Sequence, residues 1–126
     1  MFQARVPLLF NPLISITMEN EIKVGTILYG TWGYTMTIPC FYKVTKVTPT
    51  GCKVVALEKY MSRSGDGGYN QMGWELPKVN VVRSNSEQLA RFIPRLGEFK
   101  VGSSADHTAR YLSIWDGREV WANYCD

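Results

Sequence analysis

From Lys23 onward the pattern of this chain is β-rich, with short apolar and β-branched runs separated by turn residues. After Gly25, Thr26-Ile27-Leu28-Tyr29 reads as a short strand. Phe41 to Thr48 reads as a longer one, rich in β-branched residues. Its alternation slips between Val44 and Val47, which predicts a bulge or strong coiling. Pro49-Thr50-Gly51 is a turn, and Cys52 to Lys59 is the strand that returns from it.

Beyond this meander the pattern is more broken. Ser62 to Gly68 is a polar glycine-rich loop. Tyr69 to Leu76 carries Tyr69, Met72 and Trp74, and Pro77 restricts it to an edge strand or a loop. Val79 to Val82 is another short strand. Ser84 and Glu87 have the spacing of a capping box, and the apolar residues Leu89, Ala90, Phe92 and Ile93 follow up to Pro94. That combination predicts a helix of about two turns. Arg110 to Trp115 and Arg118 to Tyr124 flank Asp116-Gly117, a strong signal for a two-residue hairpin turn. In that register Leu112 opposes Trp121, Ile114 opposes Glu119, and Trp115 lies beside Arg118 in cation–π range. The fold class expected is mainly β: a small, SH3-like, partly open antiparallel barrel of five to six strands with one short helix.

The chain has 126 residues, enough for one domain with a modest core. Residues 1–17 read as an apolar arm interrupted by Pro7 and Pro12, with Met18 a plausible natural start, and residues 18–126 as one barrel domain. The arm is too short and too broken to span a bilayer, so no membrane partner is expected. The net charge is +3, compatible with nucleic acid or an acidic protein surface without demanding either. The three cysteines, Cys40, Cys52 and Cys125, are odd in number and lack paired spacing, which favours a reducing cytoplasm. Cys40 and Cys52 could still meet across a hairpin.

Catalytic chemistry is sparse. His107 is the single histidine, and Ser103, Ser104 and Asp106 beside it are too close in sequence for a hydrolytic triad. Asp66, Glu75 and Lys78 are the nearest approach to a metal-dependent nuclease set, but Pro77 distorts their spacing. No cofactor, metal or catalytic residue is expected. Ser64 to Gly68 could form an anion-binding nest, though no phosphate-loop lysine follows.

Binding chemistry is better supplied. Gly30 to Val44 carries Trp32, Tyr34, Phe41 and Tyr42, with glycines Gly30 and Gly33 between them. Neighbours on a strand face opposite ways, so Phe41 and Tyr42 are expected on opposite faces, and at least one of the four aromatics is expected at the surface with Lys43 or Lys46. That pairing suits a protein hot spot or a single-strand nucleic-acid platform, the latter with Lys53 and Lys59 added. Arg63, Asp66, Tyr69 and Trp74, around the glycine-rich loop, complete the candidate binding set.

The run Val24-Gly25-Thr26-Ile27-Leu28-Tyr29, then Trp32-Gly33-Tyr34, Thr37, Phe41-Tyr42-Lys43-Val44 and Val47, resembles a family of small uncharacterised phage and mobile-element proteins. That family reads G-D-I-x-Y-x-S-W-G-Y-x-Q-T-N-x-x-F-Y-x-V near its start and ends in Trp-Asp-Gly-Lys-Pro. Here the end is Trp115-Asp116-Gly117-Arg118-Glu119, with Trp121 and Tyr124 after it. Thr26, Met36, Ile38 and Arg118-Glu119 replace the family's Asp, Gln, Asn and Lys-Pro. The resemblance implies an accessory protein without an assigned activity. With the size and residue content, it leads to the expectation of a non-enzymatic binder of a host protein or nucleoprotein complex in the host cytoplasm. Inhibition of a defence nuclease, of anti-CRISPR or anti-restriction type, is the expected effect. A single-stranded nucleic-acid-binding module is the alternative.

Overall fold

One long strand organises the molecule because its two halves belong to two sheets. The structure is a computed structural model that describes residues 22–33, 36–67, 71–102 and 110–125. Its strands are β1 (Ile27–Trp32), β2 (Ile38–Thr48), β3 (Gly51–Ser64), β4 (Met72–Val82), β5 (Gln88–Ile93), β6 (Glu98–Val101), β7 (Arg110–Ile114) and β8 (Val120–Asn123). All pairings are antiparallel. The first half of β3 lies between β2 and β5, and the ring β1-β2-β3-β5-β6-β7 closes on itself through the β7–β1 pair. The second half of β3 leaves the ring and pairs with β4, which in turn pairs with β8. The result is a closed six-stranded barrel with a three-stranded extension.

The expected small barrel is therefore present, and it is closed rather than partly open. Closure needs the bulge that the slipped alternation predicted: the β2–β3 register shifts between Val44 and Lys46. It also needs Gly51 at the head of β3. A Cβ built there would lie 2.0 Å from the Ala90 carbonyl oxygen, so only glycine lets β3 and β5 approach. Inside the barrel, Leu28, Tyr42, Val44, Cys52, Val54, Ala90, Phe99, Val101 and Leu112 form the core, and Ile22 joins them from the segment before β1.

The expected helix is absent, and its segment forms β5. Both members of the supposed capping box are engaged elsewhere. The Ser84 hydroxyl accepts the Ser86 amide, two residues on rather than three, and Glu87 accepts the Thr45 hydroxyl. Ala90 and Phe92 then alternate inward while Leu89 and Arg91 face out, and both edges of β5 find partners. A two-turn helix has no comparable gain to offset its nucleation cost.

The expected C-terminal hairpin is also absent. The turn exists locally: Gly117 has φ +88°, and the Asp116 carboxylate accepts the Arg118 amide at 3.0 Å. But β7 has β6 on one edge and β1 on the other, so no edge is left for β8. The turn instead carries the chain from the barrel to the extension. Trp115 donates its ring N–H to the Arg118 carbonyl at 2.7 Å, in place of the expected cation–π contact.

Of the aromatics in the Gly30–Val44 stretch, Trp32 is exposed, but the Phe41–Tyr42 step supplies no surface ring. The two side chains do face opposite ways, yet both are buried. Tyr42 points into the barrel. Phe41 points out, where Tyr29 stacks on it at 6.5 Å and Trp115 meets it edge-on at 6.1 Å. The extension packs β4 and β8 near β2, so this part of the barrel's outer face is a second interior. Pro39, Val55, Leu57 and Ala122 are buried with Phe41 outside the barrel core.

Candidate functional site

The inner face of the extension is held by a polar cluster. Lys59 on β3 pairs with Glu75 on β4 at 2.8 Å, and Tyr124 donates its hydroxyl proton to the other Glu75 oxygen at 2.7 Å. Lys59 also donates to the Tyr124 oxygen. Glu75 is buried, and these two partners satisfy both of its carboxylate oxygens. Burial, then the hydrogen bond from Tyr124 to Glu75, push the Tyr124 phenol well above its ordinary pKa.

With Gly73, Glu75 and Pro77 turned inward, the intervening residues Trp74 and Leu76 face out. The same alternation on β8 buries Ala122 and exposes Trp121. The register then aligns three side chains across three strands. Arg63 on β3 pairs with Trp74 on β4, and Trp74 with Trp121 on β8. The Arg63 guanidinium lies 4.7 Å from the Trp74 ring centroid, and the two tryptophan rings meet edge-to-face at 5.2 Å. Glu119 fixes the arginine through a 2.8 Å bond to its Nε and also accepts the Ser62 hydroxyl. Those two hydrogen bonds hold the Glu119 carboxyl below its ordinary pKa. Tyr60 stands one step along the sheet, opposite Leu76, and is 45% exposed.

A second cluster closes one end of the barrel. Arg110 donates to the Tyr42 hydroxyl at 3.1 Å and lies 5.3 Å from the Trp32 ring centroid. Cys40 is adjacent, its thiol directed at the Gly30 carbonyl. Burial raises the Cys40 pKa despite the nearby Arg110 charge. Cys52 is fully buried and pushed up to about 11 by desolvation. Cys40, Cys52 and Cys125 are all free, so no Cys40–Cys52 bridge forms. The register places Cys40 opposite Gly30 instead.

The expected binding residues are thus divided. Arg63 and Trp74 come together, and Trp32 is 46% exposed under Arg110 at the barrel end. Phe41 and Tyr42 are interior and cannot contact a partner in this fold. Lys43 donates to the Val79 carbonyl, while Lys46 is exposed. Asp66 organises the β3–β4 connection: its carboxylate accepts the Gln71 and Met72 amides and the Ser64 hydroxyl. Within the proposed nest, the Gly65 amide donates to the Met72 carbonyl and the Asp66 amide to the Ser64 hydroxyl, so neither is open to an anion. Tyr34, Tyr69 and His107 lie outside the described residues, as do Ser103, Ser104, Asp106 and the arm at 1–17. Asp66 and Glu75 do not converge, and no group of three or more His, Cys, Asp or Glu could hold a metal ion among the described residues.

Trp121 and Glu119 were not anticipated as binding residues. The expected hairpin register set Trp121 against Leu112 and Glu119 against Ile114, whereas Trp121 pairs with Trp74 and Glu119 bonds Arg63. No helix among the described residues is long and apolar enough to cross a membrane. Comparison with family models, curated proteins and solved structures finds no match.

Proposed function

We propose that this chain is a non-enzymatic binding protein whose principal contact surface is the outer face of the β3–β4–β8 sheet. The observation that carries the reading is the Arg63–Trp74–Trp121 row, flanked by Tyr60 and latched by Glu119. Tryptophan, tyrosine and arginine are the residue types that dominate binding energy at protein interfaces. Here they occupy neighbouring positions on a rigid sheet, with rotamers restrained by ring–ring and ion-pair contacts before any partner arrives. Preorganisation of this kind lowers the entropy cost of association.

The partner proposed is a host protein or nucleoprotein complex in the cytoplasm. The resemblance to phage and mobile-element proteins supports an accessory role, with inhibition of a host defence nuclease as its effect. Affinity capture from host-cell lysate tests the reading when wild-type chain is run beside Trp121→Ala. One stoichiometric protein should be recovered by the wild type, and Trp121→Ala should weaken its titrated affinity by about 30-fold or more, corresponding to a hot-spot loss of ~2 kcal/mol. Equal recovery by both chains would contradict the assignment of the face. Catalytic turnover of the recovered partner's substrate by this chain alone would contradict the non-enzymatic reading.

A further inference from the structure

The outer face of the barrel away from the extension carries a basic band set by strand register. Lys46 on β2 stands directly opposite Lys53 on β3, and Lys53 is opposite Leu89 on β5. Two residues along β5, Arg91 is directly opposite Lys100 on β6, and Lys100 is opposite Tyr111 on β7. All six face outward, because Val47, Cys52, Ala90, Phe99, Val101 and Leu112 alternate with them into the core. Leu89 is 58% exposed and Tyr111 45%.

Like charges directly opposite across an antiparallel pair destabilise a sheet. This band contains two such pairs on adjoining strands. Lys46, Lys53 and Arg91 make no ion pair among the described residues. Glu87 and Glu98 border the band, held by the Thr45 and Ser113 hydroxyls, and do not enter either row. The fold gains nothing from the Lys46–Lys53 juxtaposition, whereas a polyanion laid across the band would relieve that repulsion and pair with Arg91. The band crosses five strands, so it spans roughly 20 Å at about 4.8 Å per strand. The surface is the convex outside of a closed barrel, which suits a flexible strand with splayed bases better than a duplex groove. Tyr111 supplies a ring for stacking beside the cations.

We infer that this face binds single-stranded nucleic acid, with Lys46, Lys53, Arg91 and Lys100 on phosphates and Tyr111 stacked on a base. The inference stands apart from the protein-binding reading. Lys53 and Arg63 lie near opposite ends of β3, about 30 Å apart along the strand.

Fluorescence anisotropy with a labelled oligothymidylate and the full chain tests it. Binding should weaken with salt at a log–log slope of about −2 to −3, as expected for about four neutralised phosphates. Tyr111→Ala should lower affinity about tenfold. Lys53→Glu should lower it at least about tenfold, yet raise the melting temperature by about 1–4 °C, because it converts a like-charge pair into an opposite-charge one. Trp121→Ala should leave oligonucleotide binding unchanged, and Lys53→Glu should leave capture of the protein partner unchanged. No binding at low salt, a slope near zero, undiminished binding by Lys53→Glu, or tighter binding of an equal-length duplex would each overturn the inference.

Discussion

Trp74 and Trp121 stand directly opposite each other on β4 and β8, with ring centroids 5.2 Å apart and planes inclined at 67°. The pair closes the row that Arg63 begins, and it lies on the outer sheet face, opposite the side on which Gly73 and Ala122 pack inward. Removing one ring loses an edge-to-face contact worth about 1 kcal/mol beyond area burial. Trp121→Ala should therefore lower unfolding stability by only about 1–2 kcal/mol in denaturant titration, and the chain should stay folded. A loss above about 4 kcal/mol would show that the ring is structural rather than reserved for a partner.

The opposite behaviour is expected beneath that surface. Glu75→Ala strands Lys59 without its carboxylate and leaves the Tyr124 hydroxyl unpaired, so it should cost about 3–5 kcal/mol. Replacing both charges, with Lys59→Met and Glu75→Leu, should recover most of that loss, because a buried ion pair is a weak net stabiliser against apolar residues of similar volume. Urea unfolding of the two variants measures the difference.

Stability should also fall at alkaline pH. Cys52 is raised to about 11 in the folded chain, and Tyr124 is raised further above its ordinary value. Each group holds its proton in the native state at pH values where the unfolded chain has released it. The native state then binds more protons, and unfolding free energy must decrease as pH rises. For Cys52 the window opens near the ordinary thiol value of 9.0 and closes near its folded value of about 11. The decline should approach about 1.4 kcal/mol per pH unit for one such group, and Cys52→Ala should flatten the part of it below pH 11.

At acid pH the sign reverses for Glu119. Its folded pKa is lowered, so the bonds to Ser62 and Arg63 contribute above the ordinary carboxylate pKa and are lost as pH falls through the lowered value. A carboxyl NMR titration should place its midpoint below 4.5, and Arg63→Gln should move it back upward. An unshifted midpoint would mean that the latch on Arg63 does not hold in solution.

Much of the barrel was legible because burial on one face writes itself as alternation. The β1, β2 and β3 segments, the Pro49-Thr50 turn and the bulge after Val44 all follow from local chemistry. What local chemistry could not reveal was which edges were already occupied. Asp116-Gly117 is a good turn, but β7 had no free edge for a hairpin partner. Ser84 and Glu87 are a good capping box, but Thr45, distant in sequence, engages the glutamate. Phe41 and Tyr42 face opposite ways as alternation requires, but the extension covers the outer face, so neither ring reaches the surface. The candidate site suffered from the same cause. Arg63 and Trp74 were legible as residue types, whereas their alignment with Trp121 depends on a β4–β8 pairing between segments far apart in the chain.

The chain's four tryptophans offer the most direct test of the proposed contact surface. Fluorine NMR of chain labelled with 5-fluorotryptophan, recorded with and without the captured partner, reports each ring separately. Trp74 and Trp121 should shift and lose their solvent isotope effect when the partner binds, while Trp115, packed on Phe41, should stay unchanged. A partner that binds with full stoichiometry yet leaves the Trp74 and Trp121 resonances unmoved would contradict the proposal.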